Sequence, residues 1–172
     1  MVPSEVLAAI APTDRVMFTK HPLDADRLFS ERYAQRPNNK PKGVWYSLGT
    51  QWLDWNTGDS CGECKNGGLA YNLAYRLVLR EDRIVRLATV QQIREFTGSV
   101  LGKSRNPDEW RNDWPAAALL ASGIELCFFP DRDMMTTSDN YHIFSWVSAC
   151  DCASGCIWSP DAIVSAEEVR AQ

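Results

Sequence analysis

The stretch SACDCASGCIWSP, residues 148–160, sets three cysteines within seven positions and a tryptophan two residues after the last of them. Its reading decides whether a metal or a packed core closes the fold. CGEC supplies Cys61 and Cys64 in the C-x2-C form that curls around zinc, so Cys61, Cys64, Cys152 and Cys156 could meet as four thiolates if the two loops converge. Against this, C-x-C-x3-C is not a usual second knuckle, and Cys150 stands 86 positions after Cys64. The favoured reading is of buried thiols that pack as small hydrophobes. ASG then forms a turn, shaped by Gly155 and capped by the Asp151 side chain on backbone amides, and Cys156 and Trp158 pack in the strand that follows.

Composition sets outer limits. The chain has 172 residues, 45% hydrophobic, with seven tryptophans, which is enough for one domain spanning 1–172 with a substantial core and no staples. A formal charge of −4 argues against a protein that coats nucleic acid, although a local basic cleft remains compatible with it. The N-terminus lacks the basic region of a signal peptide, and no run of about 18 apolar residues suggests a membrane span. The expected location is the cytoplasm, with no membrane partner, where thiols stay reduced.

Elements follow from periodicity and punctuation. SEVLAAIA and DADRLFSERYAQ read as short helices, RVMFTKH as a first strand stopped by Pro22, and GVWYSLG as a second strand entered from the loop RPNNKPKG. TQWLDWNTG is expected to be helical from Thr50, with Trp52 and Trp55 on one face. LAYNLAYRLVLRE and RIVRLAT read as strands around a tight EDR turn. Val90, Ile93 and Phe96 mark a helix capped by Thr89, and DWPAAALLASG a helix opened by Asp113 and Pro115. GIELCFFP, YHIFSWVSAC and SGCIWSPDAIV are expected strands before a short acidic helical tail. The predicted class is α+β: a single domain of two small packed β-sheets with peripheral helices.

The chemistry-bearing residues are few. A thiol nucleophile would need His21 or His142 as its base, and no local signature marks such a pair. No Rossmann fingerprint, Walker loop or nucleophile elbow is present. The segment KSRNPDEWR reads equally as a substrate-contacting loop and as a solvated one.

KPKGVWYS, the helix-opening DW with GIEL after it, and DCASGCIW together resemble a family of small bacterial and phage proteins marked by KPxGLWxS and WDCASGCIW. The likeness runs from about His21 to Trp158. The chain departs from that pattern in having SACDCASG without an aromatic residue before the aspartate, and in carrying the CGEC turn. The order of elements also resembles an ADP-ribosyltransferase-like fold, in which two sheets form a cleft for NAD. In the branch that uses a histidine, a tyrosine and a glutamate, the resemblance implies catalytic roles for His21, Tyr46 and Glu125. It implies NAD contacts from His21, Trp45, Tyr46 and Ser47.

That resemblance implies an enzyme that uses NAD as substrate, transferring ADP-ribose to a protein or nucleic-acid target or hydrolysing NAD. A protein target suits the acidic chain better, and a phage or toxin setting fits the chemistry. The alternatives are a non-enzymatic binding or inhibitor module with an aromatic cleft, and a small zinc-stabilised protein. Side chains alternate along a strand, so Tyr46 and the pair Trp45 and Ser47 point to opposite sides. The expectation is Tyr46 toward the cleft and Trp45 in the core. Glu125 lies between Ile124 and Leu126, so it either meets solvent or is held in a site, where burial would raise its pKa.

Overall fold

The computed structural model describes residues 1–57, 71–101, 112–130, 135 and 141–171. Seven strands form one sheet: β1 (Arg15–Thr19), β2 (Val44–Leu48), β3 (Leu73–Leu79), β4 (Ile84–Leu87), β5 (Gly123–Leu126), β6 (Ser154–Ile157) and β7 (Ile163–Glu168). Their order is β4-β5-β6-β2-β1-β3-β7, with only β4 and β5 parallel. The expected pair of packed sheets is therefore corrected to a single mixed α+β sheet curled into a half-barrel.

Connectivity forces the curl. Leu79 ends β3 and Ile84 begins β4, yet these strands stand sixth and first in the order. Five such strand spacings in a flat sheet would put them about 24 Å apart. The connecting chain can span at most about 18 Å. The EDR turn, Glu81–Arg83, thus joins the two sides of a curled sheet and closes no hairpin. Ile84 of β4 and Ile163 of β7 consequently share one core cluster with Tyr46, Tyr75, Leu77 and Ile157.

The helices are short: α1 (Ser4–Ala8), α2 (Ala25–Ser30), α3 (Gln51–Thr57), α4 (Val90–Phe96), α5 (Trp114–Leu120) and α6 (Tyr141–Ser148). Helix α4 begins where the Thr89 hydroxyl and Gln92 side chain satisfy each other's backbone amides, and Asp113 caps α5. Ile93, Phe96, Trp114, Phe144 and Trp146 cover Leu87, Ile124, Leu126 and Cys156 on the outer face of the sheet. The Trp114 and Trp146 rings meet edge to face at 5.5 Å. Their indole N–H groups donate to the Asn38 carbonyl and the Thr97 hydroxyl, so large rings are buried without orphaned donors.

Two segments differ from their predicted class. YHIFSWVS is α6, not a strand: Phe144 and Val147, three residues apart and both fully buried, share one helix face, while the equally buried Phe144 and Trp146, two apart, also fit strand alternation. The expected final strand SGCIWSPDAIV is split by a turn at Pro160–Ala162, and β7 continues to Glu168 through residues expected to be helical, pairing antiparallel with the open edge of β3.

Between β1 and β2 the ladder holds only Arg15↔Leu48 and Val16↔Ser47. Beyond it, Met17–Thr19 stay with β3, while Tyr46, Trp45 and Val44 stay with β6. The strands part in the middle of the sheet.

Candidate functional site

A cleft of about 430 Å³ opens where β1 and β2 separate. Met17, Phe18 and Thr19 form one side, and Val44 and Trp45 the other. Leu23, Asp24, Arg27 and Leu28 from the α2 region, with Tyr33, Trp52 and Tyr71, complete it. The volume lies within the range that small-molecule sites occupy, and five of the lining residues are aromatic. Flat rings of this kind stack on planar heterocycles. Besides the tyrosine hydroxyls, the polar side chains are the Thr19 hydroxyl, which donates to the His21 carbonyl at 2.8 Å, the Arg27 guanidinium and the Asp24 carboxylate. One Asp24 oxygen accepts from the Arg27 amide at 3.0 Å and so caps α2.

The strand carrying GVWYS corrects the expected placing of Tyr46, while Trp45 packs in part against the core as expected and also reaches the cleft. Trp45 lines the cleft, whereas Tyr46 is fully buried on the other face. Ser47 is buried and donates to the Gly49 carbonyl at 3.0 Å, which occupies it structurally. His21 is exposed in the loop between Thr19 and Leu23, next to cleft residues in sequence.

Tyr46 and Glu125 do meet, away from the cleft. Cross-strand registers align Arg86, Glu125, Gly155 and Tyr46 in one row over β4, β5, β6 and β2. Gly155 carries no side chain, and the Tyr46 ring crosses that gap to bring its hydroxyl 3.0 Å from Glu125. Arg86 Nε donates to the same carboxylate at 2.7 Å, and Arg15 donates to it through Nε and Nη2. Arg15 also binds Glu81, which makes a charge-balanced group of two arginines and two glutamates.

Burial works to raise the Glu125 carboxyl, but hydrogen bonds and charge from Arg15, Arg86 and Tyr46 outweigh it and hold the group below the ordinary glutamate range. This corrects the expected upward shift. Burial and the Glu125 charge push the Tyr46 phenol well above its usual value. With its acceptor positions engaged by protein donors, Glu125 serves as the centre of a packed ion cluster. His21 makes no interaction with this cluster, so the three residues assigned together do not converge on one cleft.

Cys150, Cys152 and Cys156 behave as packing groups. Burial pushes Cys150 up to about 12 and Cys152 to about 11, and raises Cys156 well above its ordinary value. Such thiols stay protonated at neutral pH and are poor nucleophiles. Among the described residues, no group of three or more His, Cys, Asp or Glu side chains could hold a metal. Cys61 and Cys64 lie outside the described residues, as does most of KSRNPDEWR. Asp151 adopts φ 69°, which aspartate tolerates, and its carboxylate meets Lys40 at 3.5 Å in place of the expected turn amides.

Asp24, Arg27, Tyr33 and Tyr71 were not legible as site residues, because they converge only when β1 and β2 part. The paired tryptophans of α3 were the available signal, and Trp52 is in the wall. Among the described residues, no helix is long and apolar enough to cross a membrane. No family model, curated protein or solved structure matches the chain.

Proposed function

We propose that the chain holds NAD as a substrate in the β1/β2 cleft and transfers ADP-ribose to a macromolecular target, with protein favoured over nucleic acid, or to water. The aromatic cleft created by the parting of β1 and β2, beside the loop that carries His21, supports this reading. The nicotinamide ring stacks among Trp45, Trp52 and their aromatic neighbours, and Thr19 and His21 hydrogen-bond ribose hydroxyls.

As the nicotinamide–ribose bond breaks, nicotinamide leaves with the bonding electrons and the ribose becomes cation-like. A nearby carboxylate stabilises that charge. Glu125 is enclosed by arginines, so the role falls to Asp24, the acidic residue in the described lining. The enclosure of Glu125 also favours the second reading, a non-enzymatic module that uses the same cleft only to bind.

Asp24→Asn separates these readings, because asparagine caps a helix about as well as aspartate. In the enzyme, NAD still raises the melting temperature of the variant while NAD consumption falls about 100-fold or more. Binding without consumption by the unaltered chain selects the binding module. If NAD neither shifts the melting temperature nor is consumed, the nucleotide reading fails.

A further inference from the structure

A second cavity, of about 350 Å³, lies beside the first and shares Trp45 with it. Its remaining wall is the loop before β2: Arg36, Asn38, Lys40, Pro41, Lys42 and Gly43. Among the described residues, three cations and no acid line it, although the whole chain carries a net charge of −4. A local concentration of positive charge in an acidic chain marks a place for an anion.

Two of the three cations form no close ion pair with the described residues, although Lys42 lies near enough to Glu31 to help hold its carboxyl low. Among the described residues, Arg36 and Lys42 enter no salt bridge, and both are exposed. Lys40 has Asp151 at 3.5 Å and lies 5.6 Å from the centre of the Trp45 ring. Trp45 thus connects the aromatic cleft to the basic cavity, with a cation held against its face.

The loop is also pre-set. Asn38 and Asn112 exchange backbone hydrogen bonds, Trp114 Nε1 donates to the Asn38 carbonyl, and the Gln35 side chain bonds both the amide and carbonyl of Lys42. Gly43 sits so close to β6 that a Cβ there would fall 2.2 Å from the Ile157 carbonyl oxygen. Anchoring of this kind lowers the ordering cost of binding.

We infer that this cavity is a phosphate subsite for the ligand of the neighbouring cleft: the pyrophosphate of a dinucleotide lies among Arg36, Lys40 and Lys42 while its planar ring lies beyond Trp45. The inference rests on the nucleotide reading of that cleft and specifies its substrate class, a phosphorylated nucleotide in place of a neutral aromatic compound. Cations that hydrogen-bond phosphate give charge-assisted contacts stronger than neutral ones.

The test is calorimetric titration of the full chain with NAD, nicotinamide riboside and inorganic pyrophosphate, repeated on Trp45→Ala and on the double variant Arg36→Gln/Lys42→Gln. Both altered side chains of the double variant are exposed, and an unchanged melting temperature verifies its fold. It is expected to bind NAD about tenfold or more weakly, to lose pyrophosphate binding, and to hold nicotinamide riboside within about twofold. Trp45→Ala should weaken NAD and nicotinamide riboside alike.

Unchanged NAD affinity in the double variant overturns the subsite, while the cleft reading survives through Trp45→Ala. Pyrophosphate binding that depends on Arg36 and Lys42 without any effect on NAD also overturns it, since the phosphates recognised would then belong to another molecule such as a nucleic acid. Failure of both NAD and nicotinamide riboside to bind the unaltered chain defeats the cleft reading, and the inference with it.

Discussion

Replacing Gly155 with alanine is expected to destabilise the protein by about 3 kcal/mol or more, despite adding only one methyl group. An ideal Cβ at this position falls 2.2 Å from both Cζ and the hydroxyl oxygen of Tyr46, and 2.7 Å from its Cε1. Local propensity pulls the other way, because alanine in a strand gains about 0.5–1 kcal/mol over glycine. The clash wins, since β6 is hydrogen-bonded on both sides to β2 and β5 and Tyr46 is fully buried. Tyr46 must leave its place over the strand, and Glu125 then loses its phenolic donor.

Chemical denaturation measures this effect, and a double-mutant cycle identifies its cause. In a Tyr46→Ala background, Gly155→Ala should cost much less than in the unaltered chain, because the ring it strikes is absent. Equal costs in the two backgrounds would mean that glycine is needed for another reason. A cost below about 1 kcal/mol would refute the close approach itself.

The second large effect concerns Glu125. Glu125→Gln keeps the shape of the side chain but leaves Arg15 and Arg86 facing a neutral amide in a buried position, a change expected to cost about 3 kcal/mol at neutral pH. Arg86 is 51% exposed and water screens its share, which places the expectation at the low end for a broken buried pair.

The pH dependence has a defined sign. The folded-state pKa of Glu125 lies below its unfolded value, so between the two the unfolded chain binds more protons and stability rises with pH. The contribution is complete above the unfolded glutamate value of about 4.3 and disappears as pH falls through the lower, folded value. Glu81 is also held low, first through its hydrogen bond to Arg15, but at 58% exposure it contributes little. Cys127 is raised by burial and Glu125 and stays neutral in this window.

The stability difference between the unaltered chain and Glu125→Gln should therefore be largest near neutrality and shrink below about pH 4. Urea denaturation across pH 3 to 7 follows it. A difference that does not change with pH would refute the ionised carboxylate. If Glu125→Gln were fully stable but lost NAD turnover, Glu125 would regain the catalytic role implied by the resemblance.

Much of the local structure was legible. Thr89, Asp113 with Pro115, and the apolar positions of α4 marked two helices correctly, because caps and spacing act within a few residues. GVWYS and GIEL were legible as strands for the same reason. The acidic residue in GIEL also pointed to an unusual environment, which the ion cluster provides.

The cluster at residues 148–160 was read correctly as core closure: Cys156 and Trp158 are buried in the outer-face core. The reason for its glycine was not legible. Gly155 does not shape a turn; it makes room for a tyrosine more than a hundred positions earlier in the chain.

By itself, then, the sequence determined the mixed class, most element positions, the absence of an apolar run long enough to span a membrane, and the capacity for a large aromatic core. Those properties depend on composition and on contacts between near neighbours. Tertiary structure decided that Trp45 and not Tyr46 reaches the cleft, that Glu125 answers to two arginines, and that β1 and β2 part to open the aromatic cavity. Strand register and order are set by contacts between residues far apart in sequence, and a shift of one position exchanges the two faces of a strand. No local pattern around Trp45 and Tyr46 could choose between them.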